Sequence, residues 1–271
     1  MTEGLFIQMC GAGHSGSTLL GSILGGAADA FYLGEAKKIM NIHDLNKPLR
    51  KRTCKICGED CVVWSKFKLN GHETLFEDVA AHVNASILID STKNIKWIKD
   101  SMSFAKKSGF RTGLILLQRD GRGVVNSRVR KYPEKSSEEM IKAWMDQMEN
   151  SEALFEAHPG PKVRVRYEDL ATNPNETIKA ICKAFDMPYD DSMLDISSKE
   201  HHPFGGNNGT QYLMSSGKIT LNERVKQYYE KHSGGIELDL RWKEELSNEH
   251  LNLFHSLAGE LNTTYAWTEE K

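Results

Sequence analysis

The feature that most constrains the fold is a glycine-rich stretch near the N-terminus. An apolar run over residues 5–10 leads into Gly11, Gly13 and Gly16, which alternate with small hydroxyl residues. Apolar residues then resume at helical spacing over residues 19–24, so the stretch predicts a buried strand, a turn and a helix. Because glycine lacks a Cβ and a helix N-terminus carries positive dipole, this geometry predicts an anion-binding turn. A tight turn without a ligand is the alternative.

The spacing Gly11-x4-Gly16 matches the first part of a nucleotide-phosphate loop, which continues with Gly-Lys-Ser/Thr. Ser17 stands at the position of the lysine. An ATPase or kinase loop without that lysine lacks the charge that reaches the outer phosphates. The sequence therefore disfavours hydrolysis of a nucleoside triphosphate.

A second motif with phosphate-binding chemistry lies in the middle of the chain. A continuous apolar run over residues 112–118 predicts a strand that ends at Arg119, and a helix follows within a few residues. A guanidinium offers two parallel hydrogen bonds to phosphate oxygens, and the hydroxyl of Ser127 can add another. The alternative is a surface pair of Arg119 and Asp120 before a plain helix.

Residues 13–20, which read Gly-His-Ser-Gly-Ser-Thr-Leu-Leu, resemble the 5′-phosphosulfate loop of sulfotransferases that use 3′-phosphoadenosine 5′-phosphosulfate (PAPS). His14 stands where most of the family has arginine or lysine and where bacterial members often have histidine. Arg119 and Ser127 match the family's 3′-phosphate site. The resemblance implies an α/β, three-layer, P-loop-like fold with a central parallel sheet flanked by helices. It also implies sulfuryl transfer from PAPS to a hydroxyl of a small-molecule or carbohydrate acceptor, with adenosine 3′,5′-bisphosphate as product and no metal required.

The same resemblance implies which residues bind the donor. Lys131 falls where some relatives have a second cation, and Tyr167 lies near the adenine or is a buried strand tyrosine. Asn207 and Lys218 fall where relatives contact phosphate. The implied donor-binding residues are Gly13, His14, Ser15, Gly16, Ser17, Thr18, Arg119, Ser127, Lys131, Tyr167, Asn207 and Lys218.

Three residues are candidates for catalysis. Glu35 follows a glycine after the first helix, as in relatives, and is the candidate base for the acceptor proton. An exposed ion pair with a neighbouring lysine is the alternative. Lys93 resembles a lysine near the transferred sulfuryl group, or else lies in solvent beside a helix cap. A protonated or donor His14 would stabilise charge on the leaving oxygens.

The other patterns predict the remaining elements. A strand is expected over residues 86–90 and a helix over residues 95–107. Ser136 caps a long helix with a buried stripe of Ile141, Trp144, Met148 and Phe155. Further predictions are a strand over residues 162–170, a mobile covering loop at about 197–220, and helices over residues 221–231 and 249–261. One domain over residues 1–271 fits the length.

An insertion at about residues 41–72 contains Cys54-x2-Cys57-x3-Cys61. The cysteines are reduced structural thiols, zinc ligands with His43 or His72 as the fourth, or partly a disulfide pair. The adjacent His201 and His202 are discounted as a metal pair, because neighbouring side chains usually point apart.

Composition limits the partners. The five cysteines, an odd number, disfavour a disulfide-stabilised secreted fold. A formal net charge of −2 gives no bulk attraction to nucleic acid or to anionic membranes. The N-terminus has no signal-peptide pattern, and no apolar run approaches the roughly 20 residues of a membrane span, so we expect a cytoplasmic protein. A P-loop small-molecule kinase and a non-catalytic nucleotide-binding scaffold are the rival functions.

Overall fold

A five-stranded, all-parallel sheet forms the centre of the computed structural model, which describes residues 3–221, 223–231 and 236–268. Its strand order is β2-β3-β1-β4-β5. Strand β1 lies in the middle and pairs with both β3 and β4, so that Ile7 is level with Ile89 and Gly113. The strands are β1 (Gly4–Gly11), β2 (Ala30–Gly34), β3 (Ile87–Asp90), β4 (Phe110–Gln118) and β5 (Lys162–Arg166).

Helices follow the strands as crossover connections require. Short 3₁₀ turns lie at Ala36–Asn41, Leu49–Lys51, Trp64–Lys66 and Asp191–Leu194. The α-helices of the described residues are α1 (Ser17–Leu24), α2 (Leu75–Val83), α3 (Ile95–Lys107), α4 (Gly121–Lys131), α5 (Ser137–Ala157), α6 (Tyr167–Thr172), α7 (Pro174–Phe185), α8 (Asn208–Met214), α9 (Glu223–Lys231), α10 (Trp242–Glu245) and α11 (Asn248–Asn262).

Both faces of the sheet are covered, which explains why the strands read as continuous apolar runs. Alternate residues of β1 enter different hydrophobic clusters, with Phe6 on one face and Leu5 and Ile7 on the other. Helices α3, α5 and α11 pack on the first face, and α1 and α7 pack on the second. The predicted three-layer α/β fold with a central parallel sheet is confirmed.

Several predicted elements have the expected extent. Helix α3 has the predicted bounds, and the predicted strands at residues 86–90 and 112–118 correspond to β3 and β4. The Ser136 side chain accepts a hydrogen bond from the Glu139 N–H at the start of α5. The predicted stripe of α5, from Ile141 to Phe155, is buried. The described residues contain no helix that is both long and apolar enough to cross a membrane.

One predicted strand is too long. The strand expected over residues 162–170 ends at Arg166, and Tyr167 begins helix α6. Acidic residues in the first turn of α6 favour a helix N-terminus, and Glu168 accepts a hydrogen bond from the Asp120 N–H at 2.9 Å. Residues 197–220 contain helix α8, which the Asn207 side chain caps. The sequence analysis also missed β2 and α2.

The carboxylate of Asp90, the last residue of β3, joins three elements at one edge of the sheet. Its Oδ1 accepts hydrogen bonds from the Ala36 N–H at 3.0 Å and from the Thr92 N–H at 2.7 Å. Its Oδ2 accepts from Trp97 Nε1 at 2.7 Å. Asp90 is fully buried, and burial raises the pKa of its carboxyl. These bonds fix the chain that follows β2, where Glu35 lies.

We expect Asp90→Asn to lower the free energy of unfolding by about 2–3 kcal/mol, because an amide must face one of these donors with its own N–H₂ group. Urea denaturation measures the change. Asp100→Asn is the matched control, since the Asp100 carboxylate is 42% exposed and pairs with Lys96 on the surface. Its effect should stay within about 0.5 kcal/mol. Equal effects of the two variants would contradict this role of Asp90.

Candidate active site

The glycine-rich turn joins β1 to α1 at the edge where the parallel strands end. Gly11 and Gly16 have φ angles of 116° and 90°. A Cβ at Gly11 would lie 2.2 Å from the carbonyl oxygen of Leu117, so this position needs glycine. Gly16 caps α1 without a side-chain hydrogen bond. The turn therefore presents the N-terminus of α1, as the sequence predicted.

One amide of the turn already has a partner. The Gly13 N–H donates to Gln147 Oε1 at 3.1 Å, and the same oxygen accepts from Arg128 Nη2 at 2.6 Å. Gln147 and Arg128 therefore hold the turn against α5. Neither was predicted, because Gln147 lies beside the apolar stripe of α5 and nothing local in the sequence marks it.

His14 contacts the second phosphate motif directly. Its Nδ1 lies 2.9 Å from Ser127 Oγ, within hydrogen-bond distance. Burial and the positive charges of Lys131 and Arg128 lower the pKa of His14 to about 3. The imidazole is therefore neutral near pH 7, which favours the donor form of His14 over the protonated form that the sequence also allowed. His14 acts here as a neutral hydrogen-bonding group.

Arg119 connects the two motifs. Its Nη1 donates to the carbonyl oxygen of His14 at 3.0 Å, and its guanidinium stacks on the Tyr167 ring at 4.2 Å. The expected alternative, a surface pair with Asp120, is wrong, because Arg119 is buried and Asp120 pairs with Arg122 at 2.6 Å.

A carboxylate shares the Arg119 guanidinium. Nη2 of Arg119 lies 3.2 Å from Asp239 Oδ2 and donates to the Asp239 carbonyl at 3.1 Å. Arg241 also binds this carboxylate through two bonds of 2.7 and 2.8 Å. Burial alone would raise the pKa of Asp239, but Arg241 and Arg119 hold it well below its usual range. An anion that binds Arg119 must compete with Asp239, which the sequence analysis missed.

Tyr167 packs under the glycine turn. A Cβ at Gly16 would lie 2.7 Å from Tyr167 Cδ2, so the ring touches the turn. The hydroxyl donates to the Glu237 carbonyl at 2.9 Å and accepts from the Asp239 N–H at 3.0 Å. Tyr167 is thus a buried helix residue that joins the turn to the C-terminal segment.

Glu35 follows β2 at the same edge. Its Oε2 pairs with Lys38 at 2.8 Å, and its Oε1 accepts from the Gly206 N–H at 3.0 Å. The carboxylate is 33% exposed, so solvent and an acceptor can reach it. The Asn207 N–H donates to Thr18 Oγ1 at 2.9 Å. One loop therefore contacts both the candidate base and the glycine turn.

Lys93 is enclosed, which excludes the alternative of a lysine in solvent. Its Nζ is buried without a hydrogen-bond partner among the described residues, and burial lowers its pKa to about 8. The helix cap of α3 is Asn94, which accepts from the Trp97 N–H. Ser15 Oγ is also buried and has no hydrogen-bond partner among the residues that the structure describes. An ammonium and a hydroxyl that lack acceptors and donors fit an anion.

The remaining predicted donor-binding residues make few side-chain contacts with the glycine turn. Asn207 uses its side-chain oxygen to cap α8, accepting from Thr210 N–H at 3.1 Å. Lys131 is exposed at the end of α4, with its Nζ 5.4 Å from the centre of the Tyr132 ring. The Tyr132 ring in turn lies 6.0 Å from that of His14. Lys218 is exposed after α8.

A largely apolar cavity of about 720 Å³ begins beside the turn at Leu19, the third residue of α1. Its volume is in the range of cavities that bind small ligands and cofactors. The lining residues are Leu19, Pro174, Asp191, Leu194, Asp195, Ile196, Ser197, Tyr212, Leu213, Ser216, Gly217, Glu230 and Ile236.

A parallel α/β sheet with a glycine turn and buried cations at its carboxyl edge defines a P-loop-like fold with a candidate anion site. A comparison with known protein families indicates a narrower class of protein. Residues 111–191, which include Arg119 and Ser127, match the model of the Sulfotransferase family. The resemblance to sulfotransferases is therefore confirmed by an independent match.

Solved structures agree with the fold. The sulfotransferase domain from the curacin biosynthetic pathway is 16% identical, with 99% of each chain covered and a TM-score of 0.56. The sulfotransferase domain of the Synechococcus PCC 7002 olefin synthase is also 16% identical, covering 94% of this chain and 95% of that one, with a TM-score of 0.58.

A mouse sulfotransferase, SULT7A1, complexed with PAP is 10% identical, covering 98% of this chain and 90% of that one, with a TM-score of 0.52. No curated protein matches the chain in sequence. At these identities the solved structures establish the sulfotransferase fold, and the roles of individual residues remain to be argued from this chain.

We expect Lys93→Met to raise the free energy of unfolding by about 1–3 kcal/mol at pH 7, because it removes a buried charge that has no partner. The folded-state pKa of about 8 lies below the usual 10.5, so the charge destabilises the fold at pH below 8. The gain should therefore shrink as the pH rises from 8 to 10.5.

Urea denaturation at pH 7 and pH 10 measures both the gain and its pH dependence. Lys96→Met is the control, because the Lys96 side chain is 85% exposed. Its effect should stay within about 0.5 kcal/mol at both pH values. A loss of stability in Lys93→Met at pH 7 would show that Lys93 has an internal anionic partner.

Proposed function

We propose that the protein transfers the sulfuryl group of PAPS to a hydroxyl of a small-molecule or carbohydrate acceptor, releasing adenosine 3′,5′-bisphosphate. One observation carries the proposal. The Arg119 guanidinium donates to the backbone of His14 at 3.0 Å, so the two phosphate-type motifs adjoin and can bind one doubly phosphorylated nucleotide. The match of residues 111–191 to the Sulfotransferase family supports this class of reaction.

The chain offers groups for each part of the donor. PAPS, when bound, supplies the sulfuryl group and a phosphate leaving group. The free amides of the glycine turn, the hydroxyls of Ser15, Ser17 and Thr18, and the His14 ring would hold the phosphosulfate end. Arg119 and Ser127 would hold the 3′-phosphate, which would compete with the Asp239 carboxylate for the guanidinium. The cavity beside Leu19 has room for the adenosine.

Glu35 and Lys93 would act on the transferred group and its acceptor. The Glu35 carboxylate is oriented by Lys38 and by the Gly206 N–H, and it would take the proton of the acceptor hydroxyl. The enclosed Lys93 ammonium would neutralise the sulfuryl oxygens. His14 would donate a hydrogen bond to leaving-group oxygens. Lys131 and Lys218 would add positive charge at the rim, and Asn207 would hold the covering loop on the turn.

For the acceptor, we propose only a chemical class. Two of the similar solved structures come from biosynthetic systems, the curacin pathway and an olefin synthase, which favours a small metabolite with a hydroxyl group. A P-loop kinase remains the rival enzyme, and a scaffold that binds the nucleotide without turnover is the rival binding protein. A cytoplasmic location stays a prediction.

Nucleotide binding separates these functions. We expect adenosine 3′,5′-bisphosphate to raise the thermal midpoint and ATP with Mg²⁺ to leave it nearly unchanged. In isothermal titration, Arg119→Ala should weaken binding of the bisphosphate by about 100-fold or more, because a charged phosphate partner is lost. Ser127→Ala, a milder change, should weaken it by about tenfold.

Arg111→Ala is the matched control for this binding test. Arg111 lies near the start of β4, at the opposite edge of the sheet, and donates to the Phe185 carbonyl at 3.3 Å. The Arg111→Ala variant should bind adenosine 3′,5′-bisphosphate with the affinity of the wild type. Preference for ATP with Mg²⁺ would favour the kinase and contradict the proposed function.

Catalysis tests the role of Glu35. An acceptor is first found by screening alcohols with a labelled sulfate donor. Glu35→Gln keeps an acceptor for the Gly206 N–H but cannot take a proton, so kcat should fall by about 100-fold or more with nucleotide affinity unchanged. Glu138→Gln, at an exposed carboxylate paired with Lys142, should leave kcat unchanged. A kcat within about threefold of the wild type in Glu35→Gln would rule out Glu35 as the base.

A further inference from the structure

Four potential metal ligands meet where the cysteine insertion contacts the segment over residues 197–220. The ligand atoms of Cys54, Cys57, Cys61 and His202 all lie within 4.8 Å of one another. Neither His43 nor His72, which the sequence offered as the fourth ligand, belongs to this group. The fourth residue comes from the distant pair His201 and His202, whose side chains do point apart. His201 Nε2 instead lies 2.9 Å from the Ile196 carbonyl.

The distances fit a tetrahedral zinc site. Zn–S bonds of about 2.3 Å and Zn–N bonds of about 2.0–2.1 Å place neighbouring ligand atoms about 3.5–3.8 Å apart. His202 Nδ1 lies 3.4 Å from Cys57 Sγ and 3.3 Å from Cys61 Sγ. Two thiols thus converge on one ring nitrogen, which has a single lone pair and cannot accept from both. An ion between them satisfies all the groups.

Two backbone N–H groups point at the Cys54 sulfur. The backbone N–H groups of Ile56 and Cys57 donate to Cys54 Sγ at 3.4 and 3.5 Å. Such donors stabilise negative charge on sulfur. The segment is closed by a bridge between Cys54 and Gly58. The turn thus directs backbone donors at the sulfur of Cys54, and all three cysteines are free of disulfide bonds.

His202 is oriented by a second group. Its Nε2 lies 3.2 Å from Glu200 Oε1, which directs Nδ1 at the cysteines. Metal-bound histidines usually have such a carboxylate on the other ring nitrogen, because it fixes the tautomer and the ring plane. Cys54, Cys61 and His202 are buried and Cys57 is exposed, so three of the four ligands are shielded from water.

We propose that Cys54, Cys57, Cys61 and His202 bind one structural Zn²⁺ ion. Thiolate and imidazole ligands select zinc over the oxygen-seeking Mg²⁺ and Ca²⁺. Four protein ligands fill a tetrahedral zinc ion and leave no position for substrate, which makes the site structural. The ion takes no part in sulfuryl transfer, so the proposal is independent of the proposed function.

The ion links the cysteine insertion to the loop beside the candidate base. The Lys55 N–H donates to the Pro203 carbonyl at 3.0 Å, and Trp64 Nε1 donates to the His202 carbonyl at 2.5 Å. Beyond them, the Phe204 N–H donates to the Leu33 carbonyl at 2.9 Å. The metal therefore anchors one end of residues 202–207, whose Gly206 N–H binds Glu35.

Metal content of the purified full chain tests the proposal. With zinc in the medium, reductant present and no chelator, elemental analysis should give about one zinc ion per chain. Cys57 is the exposed member of the cluster, so Cys57→Ser disturbs packing least, and it should lower the zinc content at least about fivefold. Cys182→Ser, at a buried cysteine in α7, is the matched control and should keep its zinc.

Cobalt provides a second readout on the wild-type chain. Replacement of zinc by Co²⁺ should produce thiolate-to-cobalt charge-transfer bands and the visible bands of a tetrahedral centre. A strong chelator should lower the thermal midpoint of the wild type. A wild-type chain that lacks zinc and binds no Co²⁺ would overturn the proposal. So would a disulfide between any two of the cluster's cysteines in the freshly purified protein.

Discussion

The candidate site depends on the contacts that hold the buried guanidinium of Arg119. A buried charge is tolerated only when it is paired and hydrogen-bonded. Arg119 meets this condition through the His14 carbonyl, the Tyr167 ring and the Asp239 carboxylate, which belong to three distant parts of the chain. The glycine turn and the C-terminal segment are therefore positioned by one cation. A phosphate at Arg119 would replace one anionic partner by another.

The cations of the site are not compensated equally. Arg119 has Asp239, whereas the Lys93 ammonium has no hydrogen-bond partner among the described residues. His14 loses its proton because burial and the surrounding positive charges oppose it. The buried Lys93 ammonium therefore lowers the stability of the fold and places a positive charge at the sheet edge. A sulfuryl or phosphate group would relieve that cost at the place where transfer needs charge stabilisation.

Local patterns predicted the parts of this fold that local forces decide. Apolar runs predicted β1, β3 and β4, and the spacing of Ile141, Trp144 and Met148 predicted the buried face of α5. Partners from far along the chain were missed, namely Gln147, Asp239 and His202. Such contacts are set by how the elements pack, and no sequence spacing encodes them. The Tyr167 error has a similar cause, since period-two alternation persists into a short helix.

The cysteine insertion and the candidate base lie at two ends of one irregular segment. Residues 202–207 have no helix or sheet of their own to order them, so side chains and the end of β2 must satisfy their backbone groups. Ordering each residue costs about 1–2 kcal/mol of backbone entropy, which a few hydrogen bonds offset only in part. An ion bound through His202, as proposed, would restrain this segment from its first residue. The insertion would then contribute to the position of Gly206 and, through its N–H, of the Glu35 carboxylate.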